Sequence, residues 1–94
     1  MEPPPLQDQT ALVTGAARRL GRSIALALAE AGADVCVHYR SSLNDAERLV
    51  SEIAKLGRRA VRLQADLEDP EQRDTLFDRA VAQAGPISLL VNNA

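Results

Sequence analysis

The fold of this chain is decided by the stretch Val13-Thr14-Gly15-Ala16-Ala17-Arg18-Arg19-Leu20-Gly21-Arg22. The apolar run Ala11-Leu12-Val13 leads into it, and a helical pattern follows, with Ile24, Leu28 and Ala31 on one face. The glycines therefore lie on a strand-to-helix turn. A helix start offers unpaired N–H groups and the positive end of the helix dipole, and glycine lets the backbone approach a phosphate closely.

The rest of the sequence alternates between short apolar runs and amphipathic patterns. We predict strands over residues 10–14, 34–39, 59–65 and 87–91, and helices over residues 21–31, 43–56 and 70–84. This β-α-β-α-β-α-β order favours an α/β fold, a partial Rossmann-type doubly wound parallel sheet with strand order 3-2-1-4. Residues 10–94 would form the cofactor-binding portion of one domain. Residues 1–9, which include three prolines, would form a flexible N-terminal arm.

Local signals refine three of these elements. Ser42 and Asp45 resemble a capping box before the second helix, and Asp69 followed by Pro70 is a typical start for the third. The run Ile87–Val91 is almost continuously apolar, which predicts a strand buried on both faces. The buried helix faces are predicted as Ala46, Leu49, Val50, Ile53 and Leu56 in the second helix, and Leu76, Phe77, Ala80, Val81 and Ala84 in the third.

In a doubly wound sheet, ligands bind at the carboxyl ends of the strands. The notable residues of this chain follow the strands at that edge. They are the turn from Gly15 to Gly21 with Arg18, Arg19 and Leu20; His38, Tyr39, Arg40, Ser41 and Ser42; Asp66 and Leu67; and Asn92, Asn93 and Ala94. Their convergence is stronger evidence for a dinucleotide site than the glycines alone, which could simply pack a helix on a sheet.

The end of the second strand favours NADP(H) over NAD(H). NAD sites place an acid there for the ribose hydroxyls, whereas NADP sites place cations and hydroxyls for the 2′-phosphate. This chain offers Arg40, Ser41 and Ser42 and no acid at that place, because Asp34 lies at the opposite end of the strand. The competing interpretation is that Arg40 is a solvated surface charge and that Ser42 only caps a helix.

Three arginines crowd the start of the first helix, where the helix dipole disfavours cations. They are Arg18, Arg19 and Arg22. A bound anion would relieve this conflict, so we predict a phosphate or substrate contact first for Arg19, then for Arg18, and last for Arg22.

Composition excludes several classes of protein. The net charge of −2 argues against general nucleic-acid binding, and no apolar run is long enough to span a bilayer. The single cysteine, Cys36, lies in an apolar run and fits a reducing cytoplasm. We find no metal-site spacing. We therefore expect a cytoplasmic protein without nucleic-acid or membrane partners.

The glycine spacing matches neither G-x-G-x-x-G nor a P-loop. It resembles the Thr-Gly-x-x-x-Gly-x-Gly turn of the short-chain dehydrogenase/reductase family, with Arg19 in place of the middle glycine. That variant looks like the pteridine reductase branch, and a 3-oxoacyl-acyl-carrier-protein-reductase-like relative is the alternative. The resemblance implies an adenine contact at Asp66 and Leu67 and cofactor contacts at Asn93 and Ala94, with Asn92 structural. His38 has two interpretations: a lone histidine is more often a packed residue than a catalyst, and its place beside Tyr39 and Arg40 suggests the adenosine end of the cofactor.

The family's chemistry depends on a Tyr-x-x-x-Lys pair and an upstream Ser. The only tyrosine here is Tyr39 and the only lysine is Lys55, so these residues contain no catalytic pair. The resemblance covers the first third or so of a typical member, and we name no catalytic residue. Residues 1–94 alone are expected to lack reductase activity. A pterin or carbonyl substrate is expected only for a full-length form.

A non-enzymatic dinucleotide-binding or interaction fragment is the other interpretation of this sequence. Continuation of the reading frame into a Ser and a Tyr-x-x-x-Lys would separate the two. Taken by themselves, these residues are also expected to be marginally stable, and to self-associate or bind a C-terminal partner through the fourth strand, which would leave backbone groups unpaired.

Overall fold

A computed structural model describes residues 2–94 of the chain. The elements follow in the order β1 (Thr10–Val13), α1 (Arg19–Glu30), β2 (Asp34–Tyr39), α2 (Leu43–Lys55), β3 (Ala60–Gln64), α3 (Pro70–Ala84) and β4 (Leu89–Val91). All strand pairs are parallel, and the sheet order is β3-β2-β1-β4. The predicted α/β fold and strand order are confirmed.

The two faces of the sheet bury separate apolar clusters, because successive side chains of a strand point to opposite faces. On one face, Val13, Val35 and Val37 pack with buried residues of α1 and α2. On the other, Leu12, Cys36 and Leu63 pack with Leu76 and Ala80 of α3. Helices on both faces of a parallel sheet are the doubly wound arrangement.

The helix boundaries differ from the predicted ones at two caps. Helix α1 begins at Arg19, two residues before the predicted start. Ser42 precedes α2 but its side chain caps nothing, so the predicted capping box is wrong. The Asp45 carboxylate instead meets the guanidinium groups of Arg18 and Arg48.

The predicted cap of α3 is confirmed. The Asp69 carboxylate accepts hydrogen bonds from the N–H groups of Glu71 and Gln72, and Pro70 opens the helix. These hydrogen bonds hold the pKa of Asp69 below its usual value, with the side chain of Gln72 the largest cause.

Three residues predicted to be buried are exposed. Leu56 follows the last residue of α2 and is 43% exposed, Phe77 is 46% exposed and Leu90 is 62% exposed. Strand β4 also begins at Leu89, later than predicted, and pairs with β1 alone. Within residues 2–94 it is therefore an edge strand, with Leu90 on an uncovered face.

The N-terminal segment contacts the end of α1. The N–H of Leu6 donates to the carbonyl oxygen of Ala31 at 2.8 Å, and Gln9 accepts from the N–H of Asp34 at 3.0 Å. The flexibility of residues 1–9 stays a prediction. None of the helices in residues 2–94 combines the length and apolar character needed to cross a membrane.

Candidate functional site

The turn after β1 is built on two glycines. Gly15 has a φ of 61°, in the left-handed region that glycine adopts at least cost. A Cβ at Gly21 would overlap the carbonyl oxygen of Gly15 and lie 2.7 Å from Nδ2 of Asn93. Only glycine at position 21 lets the start of α1 approach the turn this closely, so the two glycines form a cradle that a larger residue would fill.

The end of β4 is fastened to this turn by side-chain hydrogen bonds. Oγ1 of Thr14 accepts from the N–H groups of Asn93 and Ala94, at 2.9 and 3.1 Å. Its hydroxyl lies 3.3 Å from Oδ1 of Asn92, and Nδ2 of Asn93 donates to the carbonyl oxygen of Gly15 at 3.1 Å. Both asparagines therefore hold the strand ends together, the role expected of Asn92.

The start of α1 has neither a side-chain cap nor an acidic residue in its first turn. Among the described residues, the N–H groups of Leu20 and Gly21 meet no acceptor. Unpaired N–H groups and the positive end of the helix dipole together suit an anion. This open start lies directly beside the glycine cradle.

The three arginines at this helix start have different surroundings. Arg18 forms an ion pair with Asp45 at 3.6 Å, and Arg22 forms a hydrogen-bonded ion pair with Glu52. Carboxylates of α2 thus offset part of the positive charge. The exposed Arg19 forms no ion pair with any described residue, and its φ is 55°, which is unfavourable for a residue with a Cβ.

Two of the cavities at the carboxyl ends of the strands lie on either side of Arg40. The smaller, of about 170 Å³, is lined by Gly15, Ala17, Arg18, Tyr39, Arg40, Ser41 and Ser42. The larger, of about 310 Å³, is lined by His38, Arg40, Ala65, Asp66, Leu67, Glu68 and Ala94. Arg40 borders both cavities, and the smaller one has no carboxylate in its lining.

Two carboxylates of the loop after β3 hold the Arg40 side chain. Its Nε lies 3.8 Å from Oδ1 of Asp66, and its Nη2 lies 4.0 Å from Oε2 of Glu68. Asp66 also shapes the loop, since its Oδ1 accepts from the N–H of Glu68 at 3.0 Å. The Asp66 N–H donates to Oε1 of Gln72 at 2.9 Å, which ties the loop to α3.

His38 is almost completely buried within the site, with 2% of its surface exposed. Its Nδ1 accepts a hydrogen bond from the N–H of Gly15 at 2.9 Å, and its Nε2 lies 2.9 Å from the carbonyl oxygen of Ala65. Burial lowers the pKa of His38, the nearby Arg79 lowers it further, and the hydrogen bond to Ala65 acts in the opposite direction.

No cluster of three or more His, Cys, Asp or Glu side chains that could hold a metal ion is found among residues 2–94. Cys36 is buried, and burial raises its pKa to about 11, which keeps the thiol protonated near neutral pH.

Most of the predicted site residues meet at one sheet edge. Neither cavity, however, is lined by Arg19, Leu20, Gly21 or Asn93, and Leu20 is 65% exposed. The sequence analysis missed three contributors: Thr14, Asp45 and Glu68. The hydroxyl of Thr14, one residue before Gly15, was a usable signal. Asp45 and Glu68 gave none, because they act on Arg18 and Arg40 from other elements and look like ordinary surface carboxylates.

Comparison with known proteins identifies relatives over nearly the whole chain. The family model described as short chain dehydrogenase matches residues 9–94. The short-chain dehydrogenase/reductase FrzI of a Cladobotryum species is 43% identical over 95 residues, which cover 100% of this chain and 37% of that protein. A tetrahydroxynaphthalene reductase of Pestalotiopsis fici is 38% identical over 90 residues, covering 96% of this chain and 32% of the relative.

The fold agrees with these relatives. A crystal structure of a short-chain dehydrogenase from Burkholderia cenocepacia in complex with NADP superposes with a TM-score of 0.92 at 44% sequence identity. The match covers 96% of this chain and 37% of that one. This chain spans about a third of the length of the relatives it matches. It belongs to the short-chain dehydrogenase family, and the glycine turn of Gly15 and Gly21 lies within the matched residues.

Proposed function

We propose that residues 10–94 are the NADP(H)-binding portion of a short-chain oxidoreductase. The observation that carries this proposal is the open start of α1 beside the glycine cradle. The N–H groups of Leu20 and Gly21 lack acceptors among the described residues, and a Cβ at Gly21 would fill the cradle. Such a start accepts the pyrophosphate of a dinucleotide. The NADP complex of the similar Burkholderia protein supports the same interpretation.

The lining of the smaller cavity supports NADP(H) in preference to NAD(H). Arg18 and Arg40 bring two guanidinium groups to it, and Ser41 and Ser42 border it as well. A 2′-phosphate pairs well with planar guanidinium donors, whereas a free ribose needs a carboxylate acceptor. We therefore assign this cavity to the 2′-phosphate. We assign the larger cavity, bordered by Asp66 and Leu67, to the adenine ring.

Replacement of one cation tests this assignment. In the full-length protein, Arg40→Asp should weaken NADPH binding by about 1–3 kcal/mol, the range for hydrogen bonds to charged groups, and weaken NADH binding much less. Calorimetric titration of both cofactors measures the difference. Arg62→Asp is the matched control, because Arg62 is an exposed arginine of β3 that lines neither cavity. Equal losses for NADPH and NADH would contradict the assignment.

We further propose a pteridine-reductase-like carbonyl or imine reductase. Arg19, exposed at the open helix start in place of the family's glycine, supports this choice because it can reach a bound anion or substrate. A 3-oxoacyl-acyl-carrier-protein-reductase-like activity is the alternative. The tetrahydroxynaphthalene reductase relative favours a third candidate, a polyhydroxylated aromatic substrate.

A substrate panel separates these candidates. NADPH oxidation by the full-length protein is measured with a pterin, a 3-oxoacyl thioester and a tetrahydroxynaphthalene at equal concentrations. Turnover of the pterin alone supports the pteridine-reductase-like activity. Preference for the 3-oxoacyl thioester or for the tetrahydroxynaphthalene would support the corresponding alternative in its place. Binding of NADPH without turnover of any of the three would support the non-enzymatic alternative, a dinucleotide-binding fragment.

A further inference from the structure

His38 connects three strands at the edge where the candidate site lies. It is the fifth residue of β2, and its ring contacts Gly15 after β1 and Ala65 after β3. Its own carbonyl oxygen accepts from the N–H of Ala16 at 2.9 Å. One buried residue therefore holds two successive N–H groups of the glycine turn, the first with its side chain and the second with its main chain.

The two ring contacts define the protonation state of His38. A backbone N–H can only donate and a backbone carbonyl can only accept. Nδ1 must therefore be unprotonated to accept from Gly15, and Nε2 must carry the hydrogen that is donated to Ala65. The neutral Nε2–H tautomer is the one form of the ring that satisfies both partners.

We propose that His38 is a positioning residue for the nucleotide-binding turn and acts only as the neutral Nε2–H imidazole, so that dinucleotide affinity falls when the ring is protonated. This inference rests on the proposed binding of NADP(H) at the turn. Protonation would place a second N–H, on Nδ1, against the N–H of Gly15 at a separation of 2.9 Å. Two donors cannot share that contact, so the ring or the turn must move.

The surroundings of His38 keep it neutral near pH 7. By strand alternation it shares the face of Cys36, which packs with α3. Helix α3 brings the cation Arg79, which together with burial lowers the pKa of His38. Arg40, Asp66 and Glu68 border the same cavity.

The remaining elements bring no charge to the face of His38. Strands β1 and β4 carry no titratable side chain, and α1 and α2 pack on the opposite face. Arg62 of β3 lies on that opposite face too, where it pairs with Glu47 of α2. Below about pH 6.5, the ordinary pKa of histidine, the unfolded chain takes up a proton that the native ring resists, so stability falls as the pH decreases.

Two substitutions separate positioning from simple space filling. In His38→Asn the amide oxygen can take the place of Nδ1 and accept from Gly15, but the residue does not titrate. In His38→Gln the longer amide can reach Ala65, and no acceptor faces Gly15. NADPH affinity of the full-length protein is measured by fluorescence titration from pH 5 to pH 8 for both variants and the parent.

Because burial lowers the pKa of the native ring below its ordinary value, we expect the NADPH affinity of the parent to fall at pH values below about 6.5. This fall should be steeper than that of His38→Asn, when each affinity is taken relative to its own value at pH 7.5. At pH 7.5, His38→Asn should bind NADPH more tightly than His38→Gln, because it retains an acceptor for the N–H of Gly15. His38→Gln should bind about three- to tenfold more weakly at every pH, the cost of one hydrogen bond. The 2′-phosphate of NADPH also titrates near pH 6, but equally for all three proteins, so only the difference reports on His38.

Identical pH profiles for the parent and His38→Asn would overturn the proposal, and so would equal losses in both variants at pH 7.5. Absence of NADPH binding by the parent at pH 7.5 would instead refute the proposed function. Should either variant fail to fold, the parent still provides a test through nitrogen NMR of its histidine ring. An Nδ1–H tautomer or a charged ring at pH 7.5 would overturn the proposal.

Discussion

The central and outer strands of this sheet bury their side chains to very different degrees. All of β1 is buried, and so is β2 except for Asp34. In β3 only Leu63 is fully buried, and in β4 no residue is. The helices also differ in one respect, because α2 buries Leu49 and Ile53 completely while Phe77 of α3 is 46% exposed.

This contrast matters because the candidate site joins both regions. The glycine turn and His38 belong to the tightly packed centre, whereas Asp66, Glu68 and Asn93 follow the outer strands. A phosphate cradle requires a fixed backbone, which packing of β1 and β2 supplies. The loops after β3 and β4 are fastened to that centre by hydrogen bonds from their ends, and so depend on fewer apolar contacts.

The largest effect should come from removing an apolar side chain in the packed region. Leu49→Ala should destabilise the full-length protein by about 2–5 kcal/mol, because Leu49 is completely buried and a cavity would remain. Leu43→Ala, the matched change at the start of the same helix, should cost much less, since Leu43 is 41% exposed. Urea unfolding of both full-length variants measures the difference, and similar losses would show that burial does not set the cost of removing a leucine side chain from α2.

Sequence alone could predict the centre because its signals are local. Three apolar residues in a row, a glycine at each end of a turn and an Asp–Pro helix start each point to one conformation. The strand order and the edge where Gly15, His38, Arg40, Asp66 and Asn93 meet then follow from the chirality of parallel connections. The outer strands were less predictable, since exposure of Leu90 depends on which elements flank β4 and not on its own apolar pattern.

A local sequence pattern also could not predict which charged groups pair with the site residues. The capping-box spacing of Ser42 and Asp45 competes with the attraction of Asp45 for Arg18 and Arg48, and only the packing of α1 near α2 decides between them. Likewise, the sequence left two interpretations of His38 open, a packed residue and a contact at the adenosine end of the cofactor. Its bonds to Gly15 and Ala65 appear only when three strands lie side by side.

A smaller effect on the free energy of unfolding, of opposite sign, should appear at Arg19, whose backbone is strained. Arg19 has a φ of 55°, so Arg19→Gly should stabilise the full-length protein by about 1 kcal/mol while it weakens NADPH binding. Arg22→Gly is the control, because Arg22 lies within α1 without a positive φ and should lose about 1 kcal/mol. Thermal unfolding with and without NADPH compares the two. Destabilisation by both variants would show that Arg19 carries no strain.

The smallest effect should come from the exposed loop after β3, where Glu68 holds Arg40 at 4.0 Å. An exposed ion pair contributes about 0–1 kcal/mol, so Glu68→Gln should release Arg40 and raise NADPH affinity by no more than about fivefold. NADH, which lacks the 2′-phosphate, should bind as before.

Glu47→Gln is the control, since Glu47 pairs with Arg62 on β3 and borders neither cavity. The gain should shrink in high salt, because screening weakens the Arg40–Glu68 attraction. A gain that persists in salt, or that extends to NADH, would show that Glu68 affects the site through the shape of the loop and not through its charge.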